Sequence, residues 1–96
     1  MAKLEYSADM LADIERLVHF LIDVDLVAAL NTFDIINDGL QLLKRHPEIG
    51  RLVEGEKREL VISRGSTGYI AIYAFDKLQN IVVVLAVKHQ REDGFN

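Results

Sequence analysis

Residues 58–95 form the most informative segment of this chain, which reads RELVISRGSTGYIAIYAFDKLQNIVVVLAVKHQREDGF. It contains three apolar segments separated by two turns, and it ends in a polar tail. Two of the segments, YIAIYAF at 69–75 and IVVVLAV at 81–87, are rich in β-branched and aromatic residues at odd and even positions alike. Strands that are apolar on both faces lie centrally in a sheet that is covered on two sides. The sequence therefore predicts two central strands that need two covers.

One cover comes from the first half of the chain, which predicts two helices. Ser7 has the character of an N-cap, and apolar residues then recur at three- and four-residue spacings over 8–22. A second helix is predicted over 26–45, because His46-Pro47 ends it. Its apolar seam is Ala29, Phe33, Ile36, Leu40 and Leu43.

The predicted architecture is a single α+β domain over 1–96 with the order β-α-α-β-β-β. A short edge strand at 3–6 precedes the helices, and a strand at 57–62 follows a loop over 48–56. Turns are predicted at 64–68 and 76–80. The helical hairpin packs on one face of a small, mainly antiparallel sheet. Since 96 residues leave nothing to cover the other face, the sequence also predicts a partner.

Charge and composition narrow the function classes. The net charge of −4 divides into −6 over residues 1–56 and +2 over 57–96, so direct sequence-specific DNA binding by this chain is not expected. The absence of cysteine excludes disulfides and thiolate chemistry and suits a reducing cytosol. No secretory signal is evident and no apolar run approaches 18 residues. We therefore expect a soluble, cytoplasmic protein that does not enter a membrane.

No motif for a cofactor or a metal is present, so we expect neither. The glycines at 65 and 68 lack the GxGxxG spacing, and His19, His46 and His89 show no ligand spacing. Acidic pairs one helical turn apart, Asp9/Asp13 and Asp34/Asp38, are interpreted as solvated helix faces.

The polar segment KHQRE at 88–92 directly follows a central strand, so its side chains are expected at the rim of the sheet, where functional residues often lie. The imidazole of His89 can exchange a proton near neutral pH, and the guanidinium of Arg91 can hold a carboxylate or a phosphate. The alternative interpretation is a solvated tail. Tyr69 and Tyr73 share one strand face, where packing is a more common role than catalysis.

Three segments together resemble a known family. RELVI at 58–62, GSTGYIAIYAFD at 65–76 and VLAVKHQREDGF at 84–95 are similar, in the order β-α-α-β-β-β, to the ParE branch of the RelE/ParE toxin superfamily. Members are small toxins of type II toxin–antitoxin modules, often associated with plasmid stabilisation. The resemblance extends from Tyr6 to Phe95.

The resemblance implies a toxin that is neutralised by a cognate ParD-like antitoxin, whose C-terminal segment wraps over it and supplies the missing cover. The ParE branch implies inhibition of DNA gyrase by binding, without enzymatic activity. On this basis toxicity is assigned to Lys88, His89 and Arg91, assisted by Arg58 and Arg64 if these share the same rim. The expected antitoxin surface is lined by Leu11, Ile14, Leu21, Ile70 and Ile72.

The RelE branch implies an alternative, a ribosome-dependent mRNA-cleaving toxin with His89, Arg91 and Tyr73 in catalytic roles. Members of that branch commonly place an arginine after the tyrosine of the GYR segment, whereas Ile70 follows Tyr69 here. An apolar side chain cannot neutralise charge that develops on a phosphate. We therefore favour a protein-directed toxin.

Overall fold

A helical hairpin lies on one face of a five-stranded mixed sheet in the computed structural model, which describes residues 1–64 and 67–89. The predicted order is confirmed, with one additional two-residue strand in the loop over 48–56. In chain order the elements are β1 (Lys3–Tyr6), α1 (Ala8–Ile22), α2 (Leu26–Gln41), a 3₁₀ turn (Leu42–Lys44), β2 (Arg51–Leu52), β3 (Lys57–Arg64), β4 (Thr67–Asp76) and β5 (Ile81–His89).

Helix α1 begins and ends where the sequence predicts. The Ser7 side chain caps it, because its Oγ accepts a hydrogen bond from the Met10 backbone N–H at 3.0 Å. One stripe of the helix is buried against the sheet and α2, and it consists of Met10, Ile14, Leu17 and Leu21.

Helix α2 differs from the prediction in its end and in its buried stripe. It ends at Gln41, and a 3₁₀ turn continues it to Lys44. Phe33 was predicted in the seam but is 46% exposed. Burial of Thr32 and Ile35 shifts the buried stripe to the other side of Ile36, which leaves Phe33 at its margin.

The strand order is β1-β5-β4-β3-β2. Strand β1 pairs in parallel with β5, and every other pairing is antiparallel. The unpredicted strand β2 pairs Arg51 with Glu59 and Leu52 with Arg58. It is too short to show a period of two, which explains why the sequence pattern does not indicate it.

The register assigns each side chain of the sheet to one of two faces. Tyr69, Ala71 and Tyr73 of β4 and Val82, Val84 and Val87 of β5 are buried beneath the helices. The opposite face, which we call the open face, has an apolar centre formed by Val61, Ile70, Ile72, Ala74 and Val83. Val61 is 54% exposed and the other four are half-buried. Within the described residues, the helices therefore cover one face only, as predicted.

Candidate functional site

Two residues at the end of β5 that were expected at a common rim, Lys88 and His89, lie on opposite faces of the sheet. Lys88 is exposed and pairs with Ile70, which places it on the open face. His89 pairs with Tyr69, lies on the helix-covered face and is only 1% exposed. The structure thus corrects the expectation that both side chains emerge from the sheet. Arg91 lies outside the described residues.

Aromatic rings surround His89. Its imidazole meets the ring of Tyr69 edge-on at a centroid distance of 5.2 Å, and the ring of Phe20 lies 5.9 Å away. A register shift after Ile72 leaves Leu85 without a partner on β4. Beyond this bulge, Val87 and His89 face the helices, so the bulge determines which polar residue of β5 is buried.

Arg58 and Arg64 lie at opposite ends of β3, so they do not share one rim. Arg64 pairs with Thr67 at the end of the sheet that also carries Lys88 and His89. Only the backbone of Arg64 is described. Arg58 is six residues earlier, a separation of roughly 20 Å along a strand. It therefore cannot assist the end of β5.

Arg58 instead holds the loop that leads into β2. Its Nη1 donates to the backbone oxygens of Glu48 at 3.0 Å and Gly50 at 2.8 Å. Tyr73 completes this anchor, because its hydroxyl accepts a hydrogen bond from the Gly50 N–H at 2.9 Å. The Tyr73 side chain is fully buried, and burial raises the pKa of its hydroxyl above the ordinary value. Both residues have structural roles here.

Tyr69 is likewise a packing residue. It is fully buried, and its hydroxyl lies 3.3 Å from the hydroxyl of Thr32 on α2. Burial raises the pKa of this tyrosine as well. The sequence prediction that Tyr69 and Tyr73 pack on one face is confirmed.

Two side chains of α1 bind the outer edge of β5 where β1 no longer covers it. Asp13 Oδ2 accepts a hydrogen bond from the Val87 N–H at 3.0 Å, and Arg16 Nη2 donates to the Val87 carbonyl at 3.3 Å. Asp13 and Arg16 also form an ion pair with each other. The sequence analysis interpreted Asp13 as part of a solvated helix face, and the structure corrects this interpretation. Together the two side chains replace a neighbouring strand.

The residues expected to bind an antitoxin divide into three groups. Ile14 and Leu21 are 8% and 1% exposed, so they belong to the core and do not line a surface groove. Leu11 is 50% exposed on α1. Ile70 and Ile72 are half-buried on the open face.

The described part of the chain contains no cluster of three or more side chains suited to holding a metal ion. Among its helices, none has the length and apolar character needed to cross a membrane. An open cleft of about 690 Å³ lies beside the β4–β5 turn. Glu48, at its wall, pairs with both Arg58 and Lys77, so these charges already have partners.

Comparisons with known proteins agree with this architecture. The family model described as the ParE toxin of the type II toxin–antitoxin system parDE matches residues 4–94. A search of curated protein sequences found no significant match.

Three solved structures are similar in fold. A chain of the chromosomal ParDE system of P. aeruginosa superposes with a TM-score of 0.75 at 17% identity, covering 93% of this chain and 96% of that one. For the intact RelBE complex of E. coli the TM-score is 0.63 at 17% identity, with coverage of 91% and 94%. For the RelBE2 complex of Mycobacterium tuberculosis it is 0.53 at 18% identity, with coverage of 92% and 96%.

Proposed function

This chain belongs to the ParE toxin family of type II toxin–antitoxin systems, and we propose that it inhibits a protein target by binding, with DNA gyrase as that target. The target is inferred from the family. The chemistry of binding rather than cleavage is inferred from the site.

The burial of His89 is the observation that supports a non-enzymatic toxin. A general acid or base must come within hydrogen-bond reach of the reacting atoms, and the imidazole is 1% exposed between Tyr69 and Phe20. Tyr73, the other described residue of the nuclease alternative, is fully buried. It lies four positions along β4 from the partner of His89, roughly 13 Å away. These two groups do not converge on one phosphate.

The target-binding surface in this proposal is the end of the sheet where β3 and β5 finish. Lys88 is an exposed cation of this surface, and Arg64 is assigned to it by its register position at the end of β3. Arg91, to which the family resemblance also assigns toxicity, lies outside the described residues. Arg58 is not included, because it anchors the loop at the opposite end.

A cognate ParD-like antitoxin is the proposed partner, and its proposed contact surface is the open face. The solved ParDE and RelBE relatives are toxin–antitoxin systems, and here Ile70, Ile72 and Val61 lack a cover among the described residues. Burial of such side chains by a partner is favourable by about 25 cal/mol per Å².

Gyrase supercoiling in the presence of the purified toxin tests the target. We expect inhibition by the unmodified chain and weaker inhibition by Lys88→Ala. Lys57→Ala is the matched control, because Lys57 is also exposed on the open face but lies at its other end. Unchanged supercoiling at excess toxin would refute gyrase as the target.

Incubation of the toxin with ribosomes and mRNA tests the nuclease alternative. His89→Phe keeps an aromatic ring between Tyr69 and Phe20 but removes the titratable nitrogens, so we expect it to retain toxicity in cells. Codon-linked cuts that are present with the unmodified toxin and disappear with His89→Phe would establish the alternative instead.

A further inference from the structure

The end of β5 lies beyond the strand that covers its outer edge. Strand β1 pairs with β5 only as far as Val84. Ser7 extends this cover by one residue, since its N–H donates to the Val84 carbonyl and its hydroxyl donates to the Leu85 carbonyl. At Val87 the outer edge of β5 is contacted by helix α1 instead. The next residue is Lys88, an exposed cation of the proposed target-binding surface.

The apolar pattern of β5 does not determine which of its faces meets the helices. The segment IVVVLAV at 81–87 is apolar at odd and even positions alike, and a shift of one residue would move every side chain to the opposite face. The bulge at Leu85 determines the alternation of the residues that follow it. The charge of Lys88 opposes burial, but it does not hold the backbone of the strand. The exposure of Lys88 and the burial of His89 therefore depend on contacts made after the bulge.

The ion pair of Asp13 and Arg16 supplies such a contact. Asp13 Oδ2 accepts the Val87 N–H at 3.0 Å, and Arg16 Nη2 donates to the Val87 carbonyl at 3.3 Å. In a strand the N–H and C=O of one residue point to the same edge, and those of the next residue point to the other edge. The ion pair can therefore bind both groups of Val87 only while they point outward. Because side chains alternate between faces, Lys88 then lies on the open face.

We propose that Asp13 and Arg16 are positioning residues of the target-binding surface. By holding Val87 they fix the end of β5 in the register that exposes Lys88 and buries His89. In this role they act through the strand and not by contact with the target. The inference rests on the proposed function in one respect, because it requires that Lys88 contacts the target.

Modification of histidine by diethyl pyrocarbonate tests the positioning, because this reagent acylates accessible imidazoles. His19 and His46 are exposed, whereas His89 is 1% exposed. Peptide mass spectrometry of the unmodified chain should therefore show rapid modification of the first two and slow modification of His89. We expect Asp13→Ala to accelerate the modification of His89 at least about tenfold, with the other two rates unchanged. Asp13→Asn keeps an acceptor oxygen for the Val87 N–H and should give a smaller increase.

Tyr73→Phe is the matched control, because it removes a buried hydrogen bond towards the other end of the sheet. Any loss of overall stability raises the reactivity of His89, since the unfolded chain exposes it. Comparison of the variants at urea concentrations that give equal free energies of unfolding removes this contribution. His89 should then still react faster in Asp13→Ala than in Tyr73→Phe. Equal rates would overturn the proposal.

Growth inhibition by the toxin, expressed without antitoxin, tests the link to function. We expect Asp13→Asn to weaken inhibition severalfold, and to have little further effect in a chain that carries Lys88→Ala, because both substitutions act on the same cation. Fully additive effects would overturn the positioning role. If Lys88→Ala leaves growth inhibition unchanged, the proposed target-binding surface is wrong and the link to function is refuted with it. The modification of His89 then still decides whether the ion pair holds the strand.

Discussion

Replacement of Asp13 by alanine should destabilise the fold far more than its position on a helix surface suggests. The carboxylate accepts a hydrogen bond from the Val87 N–H and pairs with Arg16. A hydrogen bond to a charged group contributes about 1.5–3 kcal/mol, and an ion pair one turn along a helix adds about 0.2–0.5 kcal/mol. Since the Asp13 side chain is only 16% exposed, solvent replaces these bonds poorly. We expect Asp13→Ala to lower the free energy of unfolding by about 2 kcal/mol.

Urea denaturation followed by circular dichroism measures this loss, and a thermal scan should show a midpoint about 10 °C lower. Asp13→Asn keeps an acceptor oxygen and should lose about half as much. Asp38→Ala, at an exposed position of α2, is the control and should change stability by less than about 0.5 kcal/mol. Hydrogen exchange of the Val87 amide locates the effect. If Asp13→Ala matches Asp38→Ala, or if the Val87 amide keeps its protection, the edge-binding role assigned to Asp13 is incorrect.

Three further changes test the packing of the core. Tyr73→Phe removes the acceptor of the Gly50 N–H and should cost about 1–2 kcal/mol in urea denaturation; a cost near zero would mean that water replaces the hydroxyl. Burial raises the pKa of Tyr73 above its ordinary value, so this hydroxyl ionises first in the unfolded chain as the pH rises. The contribution of Tyr73 to stability should therefore be constant below about pH 9 and be lost above about pH 10. Tyr73→Phe should make the fall of stability at high pH shallower, and equal slopes would contradict the assignment. Gly39→Ala would place its Cβ 2.8 Å from Ile62 Cγ2 and should destabilise the fold by about 1–3 kcal/mol, although alanine favours helices. Ile62→Ala in the same chain should relieve that clash. If the effects of the two substitutions were purely additive, the clash would not be the cause of the destabilisation.

The helices and the central strands could be predicted from the sequence because local rules determine them. Ser7 is followed by a regular apolar stripe, so both ends of α1 are predicted correctly. The runs at 69–75 and 81–87 are apolar on both faces, which correctly indicated a sheet with one face that the helices of the described chain do not cover. The two edges of the sheet are determined by strand pairing and not by the local pattern of apolar residues. The parallel partner of β1 and the two-residue strand β2 are set by contacts distant in sequence, which no local signal encodes.

The candidate site was harder to predict for the same reason. A single bulge at Leu85 places His89 on the helix-covered face and Lys88 on the open face. An unbroken apolar run contains no sequence signal that would indicate such a bulge. The spacing of Asp13 and Arg16 fits a solvated helix face equally well, because their partner Val87 lies more than seventy residues away. Seven large apolar residues from Phe20 to Phe33 are exposed, and the surplus of apolar residues in this segment is visible in the sequence. The sequence analysis did not predict their exposure, because it assigned Phe33 to the buried seam of α2.

The parallel pairing of β1 with β5 has a consequence for the synthesis of this protein. Lys3–Tyr6 is synthesised before its hydrogen-bonding partner Ile81–Val84, which follows almost eighty residues later. Strand β1 therefore remains without its partner strand until β5 has been translated. Contacts between segments so distant in sequence also form slowly. A nascent chain interrupted before Ile81 cannot complete the sheet, so premature termination there should yield a fragment that does not fold.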